Sequence, residues 1–66
     1  MRVVANGEPV HLADGAALVD LFERLGVGAK WVVAEVNGQA VPRRDMAARR
    51  LADGDVIELV RAVAGG

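Results

Sequence analysis

Leu51-Ala52-Asp53-Gly54-Asp55-Val56-Ile57-Glu58-Leu59-Val60-Arg61-Ala62-Val63-Ala64-Gly65-Gly66 is the stretch on which the fold turns. Asp-Gly is turn chemistry, since Gly takes positive φ without a Cβ clash and Asp bonds its own backbone. Val56 to Val63 is then rich in β-branched and apolar residues, broken only by Glu58 and Arg61, and is the best strand in the sequence. A strand this apolar belongs at the centre of a sheet, with covered neighbours on both sides.

The rest of the chain supplies those neighbours. Trp31-Val32-Val33-Ala34-Glu35-Val36 reads as a strand with Glu35 on its solvent face, and Asn37-Gly38 turns it into a short return strand, Gln39 to Val41. Pro42 ends extended pairing, and Arg43 to Arg50, polar apart from Met46, Ala47 and Ala48, reads as a loop or one irregular helical turn. Further back, Leu18, Leu21, Phe22 and Leu25 recur at helical spacing with Asp20, Glu23 and Arg24 opposite, which predicts one amphipathic helix over residues 17–25. Asp14 is the expected cap, Gly26 the left-handed stop and Gly28 a second loop signal. At the start, residues 2–5 and Glu8 to Leu12 flank Asn6-Gly7, a type I′ hairpin whose second strand carries Pro9 and so lies at a sheet edge. The order hairpin, helix, hairpin, loop, strand is that of a β-grasp. The predicted class is therefore α+β, a mixed sheet of four to five strands packed on one main helix, with the first and last strands parallel at the centre. The domain spans 1–63, and 64–66 form a flexible Gly-Gly tail.

Sixty-six residues with 53% apolar and 26% charged residues make one folded domain, without room for a second domain or a buried cleft. The chain has no Cys, which excludes disulfides and thiolate sites and, in so small a domain, points to a reducing compartment, read as the cytoplasm. The N-terminal residues reach a polar turn too soon for a signal peptide, and charges interrupt every apolar run, so a soluble protein with no membrane partner is expected. A net charge of −1 gives no general attraction to nucleic acid.

Side-chain catalysis is not expected. Ser, Thr, Tyr and Cys are absent and His11 stands alone on the presumed edge strand, so there is neither a nucleophile with its base nor a metal-ligand spacing. Asp53 and Asp55 are too few oxygens for a calcium loop and read as turn residues. Four arginines, Arg43, Arg44, Arg49 and Arg50, against Asp45 give a local charge of +3, either a solvated loop or a contact for an acidic protein patch; nucleic-acid modules add stacking aromatics that are missing here. Trp31 is placed half-buried at the start of its strand, as core or as surface anchor. What remains is the end of the chain, where Ala64-Gly65-Gly66 follows a strong strand directly. A carboxylate that must thread a narrow channel to be activated needs a bare, flexible neck, and glycine provides it.

Taken together, Val4-Ala5-Asn6-Gly7-Glu8, the Leu18–Leu25 helix, Val36-Asn37-Gly38-Gln39-Ala40-Val41-Pro42-Arg43 and the segment from Leu51 to Gly66 resemble the ThiS family, sulfur carriers of thiamine biosynthesis with the ubiquitin-like β-grasp fold. The likeness covers nearly the whole chain, with Met46 where an aromatic is frequent in the family and Trp31 where many members are smaller. The resemblance implies a carrier that is a recycled co-substrate and not an enzyme. A ThiF-type adenylating enzyme would use ATP to make a transient adenylate of Gly66, and a cysteine desulfurase or other persulfide donor would supply the sulfur of a thiocarboxylate. A ThiG-type thiazole synthase would receive it. No cofactor would be bound. Gly66 would bear the sulfur, Gly65 and Ala64 would thread the partner active sites, and the apolar outer face of the sheet beside the last strand would dock them. The competing expectations are a molybdopterin-type sulfur carrier, a ubiquitin-like modifier joined to lysines, and a passive β-grasp binding module.

Overall fold

The computed structural model describes residues 1–28, 30 and 32–61; Trp31 and the tail residues 62–66 lie outside the described residues. The strands are β1 (Arg2–Ala5), β2 (Glu8–His11), β3 (Val32–Val36), β4 (Gln39–Val41) and β5 (Val56–Arg61), with one helix, α1 (Leu18–Leu25), and a short 3-10 turn at Arg43–Asp45. They form one five-stranded sheet in the order β2-β1-β5-β3-β4. β5 is central, parallel to β1 and antiparallel to β3, as its apolar sequence requires.

Each turn follows from local chemistry. Asn6-Gly7 and Asn37-Gly38 both hold two consecutive positive φ angles, 50° and 82° in the first pair and 52° and 83° in the second, the type I′ geometry that matches strand twist. Pro9 sits opposite Val4 on the edge strand β2, where a missing N–H costs no ladder bond. The Asp-Gly turn before β5 is satisfied by its own acids: Arg2 N–H donates to Asp53 Oδ1 at 2.8 Å and Ala52 N–H donates to Asp55 Oδ2 at 2.8 Å. Asp53 and Asp55 are turn residues, as expected.

The helix stops as predicted and starts differently. Gly26 is left-handed at φ 69°, and the N–H groups of Gly26 and Val27 donate to the carbonyls of Glu23 and Phe22, a Schellman closure. Asp14, expected to cap, does not. Its carboxylate accepts from the Met1 ammonium at 3.0 Å, while Ala17 is the last extended residue and Leu18 the first helical one. Gly15, at φ 82°, bends the chain between them, so Asp14 is too far upstream to reach the first helical N–H groups. Instead Asp20 accepts from the Ala17 N–H at 2.7 Å, and the strand-like run 16–18 is tied to 49–51 through Leu18 N–H to Arg49 carbonyl and Leu51 N–H to Ala16 carbonyl, both 2.9 Å.

The core lies between α1 and the inner sheet face. Leu18, Leu21 and Ile57 are fully buried and Phe22 is 2% exposed. Met46, leaving the 3-10 turn, is 1% exposed and joins the same cluster, so the irregular segment 43–50 contributes a core side chain. Leu25, predicted on the core face, is 40% exposed. It stands in the last turn of the helix and lines an open depression with Val27, Val32 and Leu59.

Candidate functional site

β5 leads to the tail and is held from three directions. The main-chain ladder to β1 comes through Val4 N–H to Asp55 carbonyl and Asn6 N–H to Ile57 carbonyl, each 2.9 Å, and then β1 turns away. The Asn6 side chain takes over. Its Oδ1 accepts from Leu59 N–H at 2.7 Å and its Nδ2 donates to the Leu59 carbonyl at 3.2 Å, which replaces one residue of missing strand. At the other end Asn37 Oδ1 accepts from Val56 N–H at 2.9 Å while Nδ2 donates to Asp55 Oδ1 at 3.0 Å. On the remaining side β3 pairs with β5 from Val36↔Ile57 to Val32↔Arg61. The strand is thus fixed to within a few residues of Gly66; Ala64, Gly65 and Gly66 themselves, with Ala62 and Val63 of the predicted strand, lie outside the described residues.

Sequence reasoning took Asn6 and Asn37 for turn formers and missed this second use. An amide offers both a donor and an acceptor, as a strand residue's backbone does, whereas a carboxylate only accepts. Asn6→Ala is expected to lose about 1–2 kcal/mol, two modest exposed hydrogen bonds and some tolerance of positive φ, with Asn6→Asp between it and the parent. Urea unfolding measures the loss, and hydrogen exchange at the Leu59 amide localises it. Unchanged exchange at Leu59 in Asn6→Ala would rule out the clamp.

The register settles which face of β5 is which. Ile57 is buried and Leu59 half-buried towards the helix, so Val56, Glu58 and Val60 point outwards. Outward on β3 stand Val33 and Glu35, paired with Val60 and Glu58. Val33, Val56 and Val60 are 52%, 44% and 63% exposed, an apolar patch on the solvent side of the central strands. Around the edge of β3 and β4 the patch continues into an open groove of about 420 Å³ bounded by Val33, Val41, Pro42, Arg43 and Met46.

The basic segment divides. Arg49 Nη1 donates to the neighbouring Arg50 carbonyl at 2.8 Å, within the segment, and Arg50 Nη1 donates to the Gly15 carbonyl at 2.7 Å, which ties the segment to the chain ahead of the helix. Arg43 and Arg44 are exposed. His11 is exposed on the edge strand, and no group of three metal-ligating side chains occurs among the described residues. Within the described residues no helix is long and apolar enough to cross a membrane.

One helix packed on a five-stranded mixed sheet with this order defines a ubiquitin-like β-grasp protein. The family model of the ThiS family matches residues 2–66, so the chain belongs to the ThiS family and is a sulfur carrier protein of thiamine biosynthesis, not a catalyst. It is 39% identical over 61 residues to the sulfur carrier protein ThiS of Thermus thermophilus, covering 92% of this chain and 94% of that one. A crystal structure of the thiamine biosynthesis protein ThiS from Geobacter metallireducens superposes with a TM-score of 0.85 at 30% identity, covering all of both chains. The whole chain is also 33% identical to a segment making up 20% of the thiazole synthase of Paramagnetospirillum magneticum.

Proposed function

We propose that the carboxylate of Gly66 is the group that carries sulfur, and that it does so as a thiocarboxylate. A ThiF-type adenylating enzyme joins the carboxylate to the AMP moiety of ATP, which turns a poor leaving group, oxide, into a good one. The terminal sulfur of a persulfide, supplied by a cysteine desulfurase or another persulfide donor, then attacks the acyl adenylate and displaces AMP, and a second thiol reduces the S–S bond of the resulting acyl disulfide, which frees the thiocarboxylate. Thiazole synthase, a ThiG-type partner, takes the sulfur and returns the carboxylate, so the carrier is a recycled co-substrate with no bound cofactor. The cytoplasm is the compartment this reading assigns to the reaction, because a domain this small with no disulfide to staple it suits a reducing environment.

The observation that carries this reading is the run of the family match through Gly65-Gly66, directly beyond a strand pinned as far as Leu59 and Arg61. Such an arrangement gives a rigid body for docking and a bare neck, Ala64-Gly65, for threading. The similarity of the whole chain to part of a thiazole synthase supports that enzyme as receiver and favours the thiamine pathway over a molybdopterin-type one. Intact-protein mass spectrometry after incubation with ATP, an adenylating enzyme, a cysteine desulfurase and cysteine is expected to show a gain of about 16 Da, oxygen replaced by sulfur, localised to Gly66. An unchanged mass with competent partners would overturn the proposal, and Gly66 in isopeptide linkage to lysines would replace it with a modifier.

A further inference from the structure

On the outer sheet face Glu35 of β3 lies directly opposite Glu58 of β5. Side chains in that relation stand about 5 Å apart, and like charges there destabilise the sheet. Nothing in the structure relieves them. Among the described residues neither carboxylate has an ion pair or a hydrogen bond. Glu35 faces Ala40 on its other side, and the pair Val33 and Val60 follows immediately along the strands. Of the nearby basic side chains, Arg2 and His11 belong to β1 and β2 at the end of the sheet held by the Asp53-Gly54 turn, and Lys30 and Arg43 line the groove around the β3–β4 edge; none of them bonds Glu35 or Glu58. Asp53 and Asp55 beside β5 serve the turn that leads into it, whereas these two carboxylates crowd each other in an apolar setting. Violations of this kind, with no compensating contact inside the fold, are expected where a partner supplies the compensation.

We propose that the Glu35–Glu58 pair, ringed by Val33, Val56 and Val60, is the recognition element for a protein partner that inserts an arginine between the two carboxylates while its apolar surface covers the valines. This deepens the carrier reading above and rests on it for the nature of the partner. A guanidinium fits because its planar fork donates to two carboxylates at once, stays charged when desolvated and packs flat against aliphatic side chains. A second copy of this chain does not fit, because a twofold pairing of this face would bring four carboxylates together with no cation. The pair would also select between partners: a protein with an apolar patch but no cation would leave both charges buried and unpaired.

The test uses the full chain, wild type and Glu35→Gln, Glu58→Gln and the double variant, with the adenylating enzyme and the thiazole synthase of the same organism. Urea midpoints of the variants are expected to equal or exceed the parent's, since repulsion is removed, which separates recognition from folding. Affinity for at least one of the two enzymes is expected to fall about tenfold or more in the double variant, and its dependence on salt to flatten. Unchanged affinity for both enzymes overturns the proposal, as does a concentration-dependent dimer that the substitutions tighten, which would put a second copy on the face. Sulfur loading of the wild type, read separately by mass, keeps the two ideas apart: loading with affinity indifferent to the glutamates sinks the recognition element alone, whereas glutamate-dependent binding without loading sinks the carrier chemistry alone.

Discussion

Removing Gly65 and Gly66 is expected to leave the urea midpoint of the protein where it was and to abolish the mass gain of about 16 Da on incubation with ATP and the sulfur-transfer partners. The first half follows from where the stabilising contacts lie. Among the described residues every member of the core cluster falls between Val3 and Ile57, and the last described strand pairing is Val32↔Arg61. The second half follows from the chemistry, because truncation moves the terminal carboxylate back to an alanine two residues nearer the folded body. That shortens the neck by roughly 7 Å of extended chain, more than enough to withdraw the carboxylate from an active site built for the full length. A subtler variant, Gly66→Ala, keeps both length and carboxylate and adds only a Cβ at the Cα next to the reacting carboxyl carbon. Misplacement by about 1 Å costs on the order of a hundredfold in rate, so loading is expected to be slowed by that order without being lost. A passive binding module would be indifferent to both changes, and full activity of the truncated chain would refute the carrier mechanism.

What the sequence made legible, and what it hid, divides along the range of the interactions. The two Asn-Gly turns, the edge position of β2, the Gly26 stop and the order of elements are local, each decided by one or two residues with restricted φ or a missing donor, and the structure has all of them. Asp14 misled because capping depends on where the chain bends, and Gly15 moved the helix start beyond it. Leu25 carried the right periodicity, but periodicity says which side of a helix a residue occupies and not how far the sheet extends beneath it. At the site, the glycine tail is a reading from sequence that lies outside the described residues, and its role stays the proposal made above. The outer face could not be read from sequence. Alternation along Val56 to Arg61 leaves both faces plausible until β1 and β3 fix the register, and only then do Glu35 and Glu58 become neighbours. The clamp by Asn6 was hidden for the same reason, its partner Leu59 being 53 residues away.

Phe22→Ala is expected to cost about 3–5 kcal/mol, the range for an aromatic truncated inside a packed core. Sixty-six residues at roughly 0.05–0.15 kcal/mol each give a total stability of about 3–10 kcal/mol, so the loss removes about a third of it at the least and all of it at the low end of that range. Phe22 is the sole phenylalanine, is 2% exposed and belongs to the cluster that joins the helix to the sheet. Its carbonyl also accepts the Val27 N–H that closes the helix, so a backbone loosened by the cavity frays the Schellman end as well. Leu25→Ala is the matched control on the same helix. Leucine and alanine are both good helix formers, and Leu25 is 40% exposed, so its loss is expected to stay near 1 kcal/mol. With a urea slope of roughly 1 kcal/mol/M for a domain of this size, the two variants differ by about 2 M or more in midpoint. Equal midpoints would mean that the helix does not present Leu18, Leu21 and Phe22 to the sheet, and the grasp of the sheet around it would have to be abandoned.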